Sequence, residues 1–132
     1  MASIFTKIIN REIPAHIVAE TEDYIAFLDI NPLVEGHCLA VPKKEVDYIF
    51  DLEDDVLLGL HRFAKKVALG IQAVVPCLRV GVTVIGLEVP HAHVHLIPMQ
   101  SMDDMNFSKP KLCLGKEELS LMAKNIKGAI LL

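Results

Sequence analysis

Cysteine is scarce in this chain, and the three present, Cys38, Cys77 and Cys113, lie far apart with no Cys-x-x-Cys pair. That excludes a disulfide framework and a zinc knuckle, and the expectation for all three is a buried free thiol. No apolar run, including that at residues 82–85, approaches the length needed to span a bilayer, so no membrane partner is expected. The first seven residues, Met1 to Lys7, lack a basic segment followed by an apolar one, so a soluble, cytoplasmic protein is expected. A basic stripe is also missing. The net charge is −4, and Lys43-Lys44 and Lys65-Lys66 read as solvated pairs, which argues against a nucleic-acid partner. Local geometry can still hold a small anion. Neither repeats nor a linker-like stretch divides the 132 residues, and one domain over residues 1–132 is expected.

What the chain does have is 52% hydrophobic residues in patterns of two distinct periods. Ile4, Phe5, Ile8 and Ile9 fit a short helical turn over residues 4–10. Residues 17–20 and 24–28 read as two strands around Glu22-Asp23, and residues 37–41 as a third stopped by Pro42. Val56, Leu57, Leu60, Phe63, Ala64, Val67, Ala68 and Ile71 recur at helical spacing, opposite Arg62, Lys65 and Lys66. Asp51 is the candidate N-cap of this helix, and Pro76 closes it. Residues 78–85 form a β-branched strand, Gly86-Leu87-Glu88 a bend, and residues 91–97 a last strand stopped by Pro98. A C-terminal helix begins near Lys116, with Glu117 and Glu118 in its first turn. This order predicts an α+β fold: an antiparallel sheet of about five strands, one long central helix and a C-terminal helix, with the helices to one side.

Three of the six histidines fall within five residues, as His91-Ala92-His93-Val94-His95. By independent counting such a run arises by chance in roughly one chain in a hundred. Strand alternation would put the three imidazoles on one face, successive Cα atoms about 6.7 Å apart. One reading is a half-solvated strand that merely exposes histidines. A second is a zinc site, for which His91 and His95, about 13 Å apart, are too distant to serve one tetrahedral ion together; two of the three with His37 would be needed. A third is covalent catalysis. A neutral imidazole is nucleophilic near pH 7, provided that its second nitrogen donates to an acceptor that fixes the tautomer. Flanking imidazoles can then hold phosphate oxygens and a leaving group.

The segment His91-Ala92-His93-Val94-His95-Leu96-Ile97 resembles the signature of the histidine triad (HIT) family, in which histidine and apolar residues alternate. Residues 5–15 are similar to the opening of its Hint-like branch. Residues 27–32 and 36–43 are similar to its central block. The resemblance implies that His93 attacks the α-phosphorus of a nucleotide, that His91 and His95 flank the phosphate, and that His37 orients the triad. It implies that Asp29 receives the ribose hydroxyls and that Phe5, Ile8, Phe27, Ile30 and Leu39 line a base pocket; for these apolar residues simple core packing is the competing reading. The ligand implied is a small AMP- or GMP-type nucleotide, with no cofactor required, and the assembly implied is a homodimer.

The sequence also departs from the family pattern. Leu87 and Glu88 stand where the family commonly has a glutamine and a serine or threonine, residues 82–85 replace an asparagine-glycine loop, and Glu45 replaces a second histidine after Pro-Lys. A carboxylate at Glu88 repels phosphate but would suit a cationic leaving group in the nucleotide site. The activity expected is therefore a purine-nucleotide phosphoramidase or hydrolase acting through a nucleotidyl-histidine. Hydrolysis of dinucleoside polyphosphates, or nucleotide binding with weak residual catalysis, are the alternatives.

Overall fold

The computed structural model describes residues 1–132, and its elements follow the two periodicities. They are α1 (Ile4–Ile9), β1 (Ile17–Glu20), β2 (Tyr24–Leu28), β3 (Cys38–Pro42), α2 (Asp54–Val74), β4 (Arg79–Thr83), β5 (Val94–Met99) and α3 (Lys116–Ala129). All five strands form one antiparallel sheet in the order β1-β2-β3-β5-β4. β5 thus inserts between β3 and β4, which places the histidine run next to β3. The fold class is α+β as expected.

Several boundaries differ from the sequence reading. Asp51 is not the N-cap of the long helix; it ends a 3-10 turn over Ile49–Asp51, and Glu53 occupies the cap. Pro42 does not stop β3 short but closes it opposite Tyr24, and β3 starts at Cys38 rather than at His37. Pro98 lies inside β5, opposite Val80, beyond the point where β5 leaves β3, so its missing N–H interrupts no β3 ladder. β4 covers Arg79–Thr83 only, and β5 starts at Val94, leaving His91 and His93 outside the strand.

Nor do all helices lie on one side. Leu60, Phe63, Ala64, Val67 and Ile71 of α2, with Leu119, Ala123 and Ile126 of α3, bury one face of the sheet through Val18, Ala26, Leu28, Ala40, Val94 and Leu96. Each fully buried aliphatic side chain there contributes roughly 1.5–3 kcal/mol. α1 covers the opposite face, where Phe5 and Ile8 pack on Ile25, Phe27, Leu39 and Val41. Alternation along β5 turns Val94 and Leu96 toward α2 and so turns His95 toward the α1 side, opposite Leu39. The thiols also differ from expectation: Cys38 is buried, Cys77 half-buried and Cys113 exposed, and all three are free. No helix is long and apolar enough to cross a membrane.

Candidate active site

His91 sits in the turn before β5 with a ring wholly withdrawn from solvent. Its Nε2–H donates to the Pro42 carbonyl at 2.7 Å, since a carbonyl only accepts. Nδ1 is then the acceptor, and the Ser3 hydroxyl donates to it at 2.8 Å. Glu45 holds this arrangement from outside. One of its oxygens accepts the Ser3 N–H at 2.7 Å and the Thr6 hydroxyl at 2.6 Å, and these bonds keep its carboxyl down at about 2. Ser3 also caps α1, accepting the Thr6 N–H. The first helix is therefore tied to the first histidine of the run. An apolar contact accompanies the tie, with the Phe5 ring edge-on to both His91 and His93.

His93 receives its orientation from the backbone. Nδ1–H donates to the His91 carbonyl at 2.8 Å, so Nε2 carries the lone pair. No buried side-chain nitrogen or oxygen lacks a partner. Nε2, which has none within the protein, is accordingly reached from the adjoining cleft. Burial lowers the His93 pKa, against the opposing pull of the His91 carbonyl, Asp29 and Glu88. At pH 7 the ring is neutral and its free nitrogen is nucleophilic.

A second chain of bonds fixes His95. The Leu33 N–H donates to His37 Nδ1 at 3.1 Å, which forces the proton of neutral His37 onto Nε2. His37 Nε2–H in turn donates to His95 Nδ1 at 3.0 Å. His95 therefore presents an N–H, at Nε2, to the cleft. One backbone amide sets the polarity of two imidazoles. Burial, then the neighbouring histidine and lysine charges, push His37 down to about 3 and His95 to about 4, so both are neutral at pH 7.

The cleft in front of these rings has a volume of about 380 Å³. His93 and His95 lie at its floor, with Asp29, Phe5, Ile30, Leu39 and Glu88 around them. Burial raises the Asp29 carboxyl above its usual range, while the Asn31 N–H, bonded to it at 2.9 Å, opposes the rise. His91 and His37 lie behind the floor, touching the lining residues rather than the cleft. Ile8 and Phe27 do not reach it either. Both pack behind Phe5, Phe27 with its ring 5.4 Å from that of Phe5, so core packing is the reading that holds for these two. The cleft also includes residues not anticipated from sequence: Asn31, Phe107 and Lys111. The last two sit in an irregular segment whose only local sign is an aromatic residue among lysines before Pro110.

Asp29, His37 and His95 bring donor atoms within 4.8 Å of one another, the one grouping suited to a metal ion. As they stand these residues do not fit zinc. Because His37 Nδ1 accepts the Leu33 N–H, neutral His37 keeps its proton on Nε2, and that N–H is given to His95 Nδ1 at 3.0 Å, so neither nitrogen has a free lone pair for an ion.

A family model described as the HIT domain matches residues 10–102. A HIT-like protein of Methanocaldococcus jannaschii is 39% identical, over 95% of this chain and 98% of its own length. An adenosine 5′-monophosphoramidase of Saccharomyces cerevisiae is 34% identical, over 93% of this chain and 82% of its own. Among solved structures, a HIT-like protein of Bartonella henselae superposes with a TM-score of 0.84 at 29% identity, covering 97% of this chain and 96% of that one.

Proposed function

The chain belongs to the histidine triad family, and on that premise we propose that it hydrolyses purine nucleoside phosphoramidates through a nucleotidyl group carried on His93. The single observation that carries this reading is the tautomer of His93, whose Nδ1–H is held by the His91 carbonyl at 2.8 Å while Nε2 faces the cleft. In the first step Nε2 forms a bond to the α-phosphorus and the bond from phosphorus to the amine breaks. The amine leaves with a proton taken from solvent at the cleft mouth. In the second step water attacks phosphorus, the bond to Nε2 breaks, and the water proton returns to solvent with release of the nucleoside monophosphate.

The intermediate places a positive charge on the His93 ring, because Nδ1 keeps its proton. The groups that favour that charge are the ones already acting on the free ring: the His91 carbonyl, Asp29 and Glu88. His95 Nε2–H supplies a neutral donor for a phosphate oxygen. In this reading Asp29 accepts the ribose hydroxyls, Phe5, Ile30 and Leu39 meet the base, and Glu88 meets the departing amine; all five line the cleft, which supports it. The relative that is an adenosine 5′-monophosphoramidase supports the choice of substrate. None of these steps needs a cofactor. The same reading has the protein in the cytoplasm as a homodimer, joined through α2 and a sheet edge.

His93→Ala tests the assignment. Turnover of adenosine 5′-phosphoramidate should fall to background while AMP binding is largely kept, and an active variant would remove His93 as nucleophile.

A further inference from the structure

The cleft is lined by two carboxylates, Asp29 and Glu88, and by a single cation, Lys111. A nucleotide brings at least one more negative charge into this space. Lys111 belongs to the irregular segment between the 3-10 turn Met102–Met105 and α3, and that segment is fixed at both ends of the stretch that matters. On one side the Phe107 ring packs edge-on against His95 and His37, with centroids 4.9 and 6.3 Å away. On the other the Leu112 N–H donates to the Pro32 carbonyl at 2.9 Å, joining the segment to the loop that carries Asp29 and Asn31. Between these anchors the Lys111 ammonium donates to the Phe107 carbonyl at 2.8 Å and lies 5.5 Å from the centre of the Phe107 ring. Its charge is felt at Asp29, His37 and His95.

We infer that Lys111 is the residue that holds the anionic phosphate of a bound nucleotide, supplying the only positive side chain that the cleft contains. An ammonium has three donors, so the bond to the Phe107 carbonyl can persist while another N–H meets a phosphate oxygen. The Phe107 contact places this charge beside His95, whose N–H faces the same space. The role makes Lys111 a specificity residue: it favours phosphorylated nucleosides over bare ones, and more so as phosphates are added. It also offsets Glu88 at a place where the family pattern offers polar, uncharged contacts. This inference rests on the nucleotide reading above, but its test is one of binding and not of turnover.

The test compares adenosine, AMP and ADP binding by calorimetry in the wild type, Lys111→Met and Lys111→Arg. In Lys111→Met the Kd for AMP should rise about tenfold and that for ADP further, while the Kd for adenosine stays within about twofold. Lys111→Arg should recover most of the AMP affinity. Raising the salt concentration should weaken AMP binding in the wild type more than in Lys111→Met. Equal loss of adenosine and AMP would mean that the segment only shapes the base pocket, and no change in either would mean that Lys111 stays on Phe107; each overturns the inference. Absent phosphoramidate turnover strikes the hydrolase reading alone, whereas absent AMP–adenosine contrast strikes Lys111 alone.

Discussion

Ser3 performs two tasks with one oxygen, and two substitutions separate them. Its hydroxyl donates to His91 Nδ1 at 2.8 Å and accepts the Thr6 N–H at 3.1 Å as the cap of α1. Ser3→Ala removes both. Leaving the buried His91 nitrogen without a donor costs about 1–3 kcal/mol, and losing the cap about 1 kcal/mol more, for a total of about 2–4 kcal/mol. Ser3→Gly removes the hydroxyl too, but glycine at a cap is only a few tenths of a kcal/mol worse than serine. It should therefore cost about 1–3 kcal/mol and read the His91 bond almost alone. Thr6 cannot take over: its Oγ1 lies 3.4 Å from His91 Nδ1, but its one proton is already given to Glu45. Urea unfolding at pH 7.5 measures both variants, with an unchanged m-value as the check on two-state behaviour. Turnover should also fall, because the His91 carbonyl that fixes the His93 tautomer belongs to the residue set loose. A loss below about 0.5 kcal/mol in Ser3→Gly would refute the reasoning.

Acid should unfold this protein early. His37 and His95 are depressed to about 3 and about 4 in the folded state, against about 6.5 when unfolded. Their contribution is fully present above pH 6.5 and is lost as pH falls through the folded values, because the unfolded chain binds about two more protons. Stability should drop by roughly 2 kcal/mol per pH unit between pH 6 and 4, His91 and His93 adding to the slope and Asp29 opposing it. Thermal midpoints at pH 7, 6 and 5 measure this, and equal midpoints would contradict the relay of neutral rings. Gly59→Ala should destabilise despite the better helix propensity of alanine. A Cβ there overlaps the Tyr24 hydroxyl and comes within 2.9 Å of its ring carbon, while that hydroxyl donates to the Val56 carbonyl and the ring stacks on Phe63. Overpacking and the lost bond outweigh about 1 kcal/mol of propensity, for a net cost of about 1–3 kcal/mol. A raised melting temperature would show that Tyr24 yields freely.

Periodicity placed α2 well, since a helix repeats its buried face every three or four residues and the pattern is written in consecutive side chains. Leu60, Phe63, Ala64, Val67 and Ile71 are buried as that spacing requires. The same logic misplaced His91 and His93. Alternation assumes a strand, but β5 begins only at Val94; His91 is held by the Pro42 carbonyl and Ser3, and His93 by the His91 carbonyl. Ile8 and Phe27 show the converse: an apolar residue near a site is indistinguishable, in sequence, from one behind it.

By itself, then, the sequence determined the fold class, the strands and long helices, and the run that carries His93. Tertiary structure decided which nitrogens of His91, His37 and His95 donate and which accept. Ser3 and His91 are 88 residues apart, and His37 and His95 are 58 apart. A tautomer is set by the partner of the opposite ring nitrogen; the partners of His91 and His95 meet only after β5 has inserted beside β3 and α1 has closed over the sheet, whereas His93 takes its partner, the His91 carbonyl, from two residues away in the turn that this packing holds. The same holds for Lys111, which stands near the histidines because Leu112 is bonded to Pro32 and Phe107 rests on His95. Local chemistry fixes which side chains are available. Long-range pairing fixes what each can donate, accept or attack.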